Sequence, residues 1–238
     1  MNVFAYLFII LLGSVCGALA NWLVDELPYR AGGGAPTHCG PLHYWSLPGF
    51  LLDGSRCPHC ATPRSIRYPL LELATTAGFV ITLRIQGALT IEVVIMCVYI
   101  TFLLTVLVID YGHRRVLNSM LGPAAIFALL VGLRTGADGL FNALLGGIVG
   151  LGLFLLLAAL SRGKLGAGDV KLAGVIGLMT GYPSVLNALI FGVLLGGIAA
   201  IFLLVSHRAT RKSYMAYAPY LALGALGAFW LSALTPAF

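Results

Sequence analysis

Eight apolar runs organise the chain: Val3 to Val24, Tyr68 to Ile85, Ile91 to Ile109, Val116 to Leu133, Leu140 to Leu160, Val170 to Thr180, Val185 to Ser206 and Tyr214 to Phe238. Runs of this length are long enough, or nearly so, to cross a bilayer as helices. The expected fold is all-α and polytopic, with about eight transmembrane helices. The sixth run is short for a full span, and its glycines suit a helix that is shorter, tilted or enclosed by protein.

Composition agrees. With 60% hydrophobic and 9% charged residues, the chain has too little polar surface to cover a soluble domain. Ala18-Leu19-Ala20 resembles a signal cleavage site, yet no Lys or Arg precedes it. A secretory signal needs a positive n-region, so the first run is read as a spanning helix.

The basic residues set the orientation. With the N-terminus outside, the cytoplasmic segments hold Arg30, Arg56, Arg64, Arg67, Arg114, Arg115, Arg162, Lys164, Lys171, Arg208, Arg211 and Lys212, leaving Arg84 and Arg134 outside. That asymmetry follows the positive-inside rule and supports the span count. The net charge of +6 then reports insertion and contact with anionic lipid rather than nucleic acid. The expected division is a first helix over 1–24, a cytosolic loop over 25–67 and a membrane region over 68–238.

The loop is rich in Gly and Pro and too short for a core of its own. It carries Cys39 and the pair in Cys57-Pro58-His59-Cys60. A Cys-x-x-Cys turn can aim two thiolates at one zinc ion, with His38, His43 or His59 as further donors. The competing reading is a turn of free thiols without metal, a disulfide being disfavoured in a reducing cytosol. Cys16 and Cys97 lie in apolar runs and read as small core residues. Behind the loop, Arg67-Tyr68-Pro69-Leu70-Leu71-Glu72-Leu73 reads as a helix entry. Pro69 would take the first helical position, and Glu72 in the first turn would complement the dipole.

Only eight residues are acidic, and two of them, Asp110 and Asp169, stand at the cytoplasmic ends of the third and sixth runs. A carboxylate at a membrane edge is costly. Each has a bland explanation: Asp169 as a helix cap, Asp110 as an anchor paired with Arg114 or Arg115. Together at one depth they suit acid/base chemistry, because neighbouring carboxylates hold one proton between them and supply both an acid and a base. Such hydrolysis requires no metal or cofactor. Gly166 and Gly168 precede Asp169 and would let the backbone turn tightly or a substrate strand approach. Lys171 reads as an interfacial lysine, able to reach headgroups or the aspartates. Gly146-Gly147 and Gly196-Gly197 are candidate sites for an apolar substrate stem.

Several strings, in order, make the chain resemble the type IV prepilin leader peptidases, GxGD-type aspartic membrane proteases. They are Gly13-Ser14 and Asn21, Cys57-x-x-Cys60, Arg67 to Leu73, Ile109-Asp110 with the basic stretch behind it, Gly166-Ala167-Gly168-Asp169-Val170-Lys171-Leu172, and Ala218-Pro219-Tyr220-Leu221-Ala222-Leu223-Gly224. The resemblance implies that Asp110 and Asp169 are a catalytic dyad on the cytoplasmic face of the bacterial inner membrane. It implies removal of a basic leader from prepilins or type II secretion pseudopilins, by cutting after a Gly that commonly precedes a Phe. It also implies, for some members, N-methylation of the new terminus from S-adenosylmethionine, with Glu72 in the N-terminal part associated with that activity. Many relatives have two Cys-x-x-Cys pairs where this chain has one and Cys39. Leu117-Asn118 and Ala218 also depart from the usual residues. Two other classes compete: a proton- or cation-coupled transporter, and an assembly subunit that docks a cytosolic partner through its Cys loop.

Overall fold

A computed structural model of the chain describes residues 3–32, 65–161, 165–206 and 217–234. Among these it contains eight α-helices and no strand: α1 (Val3–Gly32), α2 (Arg67–Gln86), α3 (Ile91–His113), α4 (Asn118–Arg134), α5 (Ala137–Leu160), α6 (Ala167–Thr180), α7 (Ser184–Val205) and α8 (Ala218–Leu234). Each falls on one of the eight apolar runs. Stretches of α1, α3, α5 and α7 are long and apolar enough to cross a membrane, and α4 and α8 are shorter apolar helices. The protein is thus an all-α polytopic membrane protein. The expected metal ligands Cys39, Cys57 and Cys60 lie outside the described residues.

Two compact units divide the chain, Met1–Thr105 and Val106–Phe238. In the N-terminal unit α1 packs on α2 through small residues. A Cβ on Gly13 would stand 2.7 Å from Thr76 Cα, and one on Gly17 would stand 2.6 Å from Glu72 Cα. Any side chain there would force the backbones apart. The close seam is laced with polar pairs. Ser14 donates to Glu72 Oε1, Asn21 Nδ2 donates to the Tyr68 carbonyl at 3.0 Å, and Tyr68 donates to Asp25 Oδ2 at 2.7 Å. Arg67 pairs with the other Asp25 oxygen.

Two details of this unit differ from expectation. α1 runs past Val24 to Gly32 with Pro28 inside it. α2 starts at Arg67, so Pro69 is its third residue and no acidic residue lies in the first turn. The cause is the turn before it, where the Tyr68 N–H bonds the Ser65 carbonyl at 3.1 Å and the Arg67 N–H bonds the Ser65 hydroxyl at 3.3 Å. Pro69 is still tolerated, because first-turn N–H groups have no helical partner to lose. Glu72 instead belongs to the second turn and is fully buried against α1.

The C-terminal unit is built around α6. Its 14 residues span about 21 Å, well short of the roughly 30 Å of a hydrocarbon core. It can be this short because it is enclosed: Val170, Leu172, Ala173, Gly174, Val175, Ile176, Gly177 and Met179 are all buried. A helix apolar on every side is one surrounded by protein. Glycines let α5 approach it closely. A Cβ on Gly146 would lie 2.3 Å from the Gly177 carbonyl oxygen, one on Gly177 would lie 2.1 Å from the Gly146 oxygen, and one on Gly150 would lie 2.4 Å from the Ala173 oxygen. α7 and α8 meet the same way at Gly192 and Gly224.

These contacts correct one expectation. Gly146 and Gly147 are consumed by packing against α6, where a Gly147 Cβ would meet Leu178 at 2.6 Å. Gly196 is likewise covered, by the Tyr217 ring. Of the four glycines proposed to receive a substrate stem, Gly197 alone is exposed with open space at its Cβ position.

Candidate active site

Asp110 comes from the last turn of α3. Its carbonyl accepts the N–H of Arg114 at 2.8 Å, and Arg114 has φ of 52°. This left-handed cap ends the helix just behind the aspartate, a position more commonly filled by glycine. Asp110 is 4% exposed, and its Oδ2 is buried without a hydrogen-bond partner among the described residues.

Asp169 is the third residue of α6, whose cap position is Gly166. Its carboxylate reaches back to the Gly166 backbone N–H, the acidic half of a capping box. Asp169 is therefore not the cap residue of the helix, which is Gly166, but a first-turn carboxylate reaching back to it. The same carboxylate also takes a hydrogen bond from the backbone of Ala218, and so does Asp110.

That shared donor fixes the geometry. Sharing one donor makes the two carboxylates neighbours, and the charge of Asp110 acts directly on Asp169. Ala218 opens α8, with Pro219 behind it, so the positive end of the α8 dipole faces both carboxylates. Proline at such an early position gives up no helical bond.

Gly166 and Gly168 act through space rather than backbone freedom. Gly166 has φ −70° and ψ 142°, open to any residue, and Gly168 is helical. A Cβ on Gly166, however, would stand 3.3 Å from Asp169 Oδ2, and one on Gly168 would stand 2.9 Å from Val116 Cβ. The first keeps the carboxylate uncrowded; the second lets the residues between α3 and α4 lie against the start of α6. Lys171 donates to Asn118 Oδ1 at 3.0 Å, joining α6 to the start of α4.

The structure thus brings together Asp110, Asp169, Gly166 and Gly168, and bonds Lys171 to Asn118 instead. Glu72 belongs to the N-terminal unit. Val116 and Ala218 were not singled out as site residues from the sequence. Val116 carries no polar atom, and Ala218 contributes a backbone group that residue type does not encode; the only signal was its place at the head of the Ala218-Pro219-Tyr220 string. Among the described residues there is no cluster of three or more His, Cys, Asp or Glu.

Two buried carboxylates on one backbone donor, in an all-helical membrane protein, define a paired-aspartate membrane protein. The chain belongs to the type IV leader peptidase family, whose description matches residues 97–201, with the bacterial peptidase A24 N-terminal domain matching residues 11–85. It is similar to proteins named prepilin leader peptidase/N-methyltransferase. That of Myxococcus xanthus is 29% identical over 212 residues, 84% of this chain and 63% of the relative. That of Bacillus subtilis is 28% identical over 189 residues, 79% and 76%. That of Neisseria gonorrhoeae is 31% identical over 192 residues, 76% and 64%. The chain therefore spans about two thirds of the length of the Myxococcus and Neisseria relatives. No solved structure matches it.

Proposed function

We propose that this chain is a membrane aspartic endopeptidase that removes the leader of a prepilin or pseudopilin at the cytoplasmic face of the inner membrane. The observation that carries this reading is the pairing of Asp110 and Asp169 on the Ala218 N–H.

The chemistry follows from the pair. Like charges this close resist double ionisation, so one carboxylate is ionised while the other keeps a proton. The ionised member takes a proton from a water that attacks the scissile carbonyl. The protonated member donates to the carbonyl oxygen, giving a gem-diol; as this collapses, the proton taken from water passes to the leaving amine and a hydroxyl proton returns to the other carboxylate, so the pair again holds one proton. The free Asp110 Oδ2 gives that oxygen lone pairs for water or substrate, and the Ala218 N–H holds the ionised state without supplying a proton. Arg114 and Arg115 follow Asp110, consistent with the cytoplasmic side. There a basic leader gives way to an apolar stem that remains in the bilayer.

The N-methyltransferase half of the relatives' names points to a second reading, for the N-terminal unit, with S-adenosylmethionine as methyl donor. Glu72 is the residue we assign to it, because it is a carboxylate fully buried between α1 and α2, an expensive placement unless used.

Incubating purified protein in lipid vesicles with a prepilin, and reading products by mass spectrometry, tests both. Peptidase activity gives one cut between leader and stem. A mass 14 units higher on the stem fragment, seen only with S-adenosylmethionine, marks the methyl group, on the order of one CH2. An uncut prepilin overturns the reading.

A further inference from the structure

The peptide unit between Tyr217 and Ala218 is gripped from three sides. Its N–H serves both aspartates. Its carbonyl accepts the N–H groups of Tyr220 at 3.1 Å and Leu221 at 3.3 Å, the first turn of α8. Because the unit is planar, with N–H and C=O pointing opposite ways, only rotation about its ends can re-aim the N–H.

The third grip is the Tyr217 side chain. Its ring lies 6.2 Å from that of Phe154 on α5 and 6.2 Å from that of Tyr220. Phe154 is a fixed wall, 1% exposed. Against the hydroxyl end of the ring stands Gly196 of α7, where a Cβ would come within 2.9 Å of Tyr217 Cε2, Cζ and Oη. The hydroxyl reaches the Val193 carbonyl only at 3.4 Å, long for an O–H donor. The ring, in contact with Gly196 and facing Phe154, does the holding.

We propose that Tyr217 is a positioning residue: seated on Gly196 and against Phe154, it sets the angle at which the Ala218 N–H meets the two carboxylates. Its kinetic consequence rests on the peptidase reading; its geometric one does not. Among the described residues, the other titratable or charged groups acting on this unit include Tyr220, Tyr111 beside it and Arg114 near Asp110.

Tyr217-Ala218 is the only Tyr-Ala pair in the sequence, so labelling Tyr at the carbonyl carbon and Ala at nitrogen isolates one amide by NMR. In the full chain its cross-peak should move as pH titrates the aspartates, and the movement should be altered in Asp110→Asn and Asp169→Asn. Gly196→Ala keeps the labelled pair but pushes the ring, and should shrink the pH response. Phe154→Leu loosens the other ring contact and serves where Gly196→Ala disturbs the fold. With prepilin as substrate, Gly196→Ala and Tyr217→Leu should lower kcat by about tenfold or more, with KM within about twofold. Tyr217→Phe, which keeps the ring, should recover most of that loss and the wild-type pH profile. An Ala218 amide indifferent to both Asn variants, or unchanged in Gly196→Ala and Phe154→Leu, overturns the proposal. If wild type cuts nothing while the amide behaves as described, the peptidase reading fails and the positioning role stands.

Discussion

Asp110 and Asp169 accept hydrogen bonds from the same backbone N–H, that of Ala218. They arrive from opposite kinds of helix end, the last turn of α3 and the first turn of α6. A third helix, α8, supplies the donor that both use. Loss of either carboxylate and loss of the donor should therefore have different signatures.

Replacing either aspartate by asparagine removes the acid or the base while keeping the shape. Asp110→Asn and Asp169→Asn are each expected to lower kcat by about a thousandfold or more, and the double variant should be little worse than either single one. Insertion into the membrane should be unchanged. Prepilin cleavage with quantified protein in vesicles measures this, and near-normal turnover by either single variant rules out the dyad.

The pair also dictates a pH profile. Turnover needs one proton on two carboxylates, so kcat should fall at low pH, where both are protonated, and at high pH, where both are ionised. The sign is the same on each side because either extreme removes one partner of the acid/base couple. A rate that rises monotonically with pH would point to a single base.

Ala218→Pro deletes the shared donor, whereas Ala218→Gly keeps it. Loss of one preorganised backbone donor at a site of changing charge costs about 10² to 10³ in kcat, and that is the expectation for the proline variant. The glycine variant should stay within about threefold, since glycine removes only a methyl group here. Comparable losses in both would mean that the Ala218 side chain matters rather than its N–H. Because Ala218 is fully buried, a thermal melt of each variant separates misfolding from chemistry.

How far the sequence reached depends on what each feature is made of. Apolar runs are long-range patterns, so all eight helices and the two carboxylates at their ends were legible. The start of α2 was not, because two residues before it, Ser65 and Ile66, wind the first turn without a strong cap signal. The roles of Gly146 and Gly147 were misread for another reason: a glycine fits a substrate stem or a neighbouring helix equally well, and α6 turned out to be that neighbour. The Ala218 donor belongs to the backbone, which every residue except proline offers alike.

Gly168 and Val116 make a pair that can be broken and mended. Gly168→Ala puts a Cβ 2.9 Å from Val116 Cβ, so the segment behind Asp110 must shift and turnover should fall by about ten- to a hundredfold. Adding Val116→Gly removes the opposing atom and should restore most of the rate. Gly166→Ala meets Asp169 Oδ2 at the looser distance of 3.3 Å and should be milder. Rescue by the double variant, read as kcat against melting temperature, distinguishes displacement from a general loss of stability.

The α5 and α6 contact predicts a defect of stability rather than chemistry. Gly177→Ala would place a Cβ 2.1 Å from the Gly146 carbonyl oxygen, and backbone on a helix cannot yield as a side-chain tip can. Overpacking of this kind costs about 1–3 kcal/mol, so the variant should melt earlier in detergent. Gly152, with open space around its Cβ position, supplies the control: Gly152→Ala should melt no earlier than wild type, since alanine is the better helix former by about 1 kcal/mol.

Glu72 separates the two activities assigned to this chain. It is fully buried in the N-terminal unit, bonded to Ser14, while both aspartates belong to the other unit. Glu72→Gln keeps the size and one acceptor oxygen but loses the charge. If Glu72 serves methyl transfer, the fraction of cleaved stem that becomes methylated should drop about tenfold or more while the variant still cuts, because a general base contributes about 10² to 10⁴. A structural Glu72 predicts instead that cleavage and methylation decline together with melting temperature. Mass spectrometry of one digestion reports both ratios, so the two outcomes are read from the same sample and differ in kind.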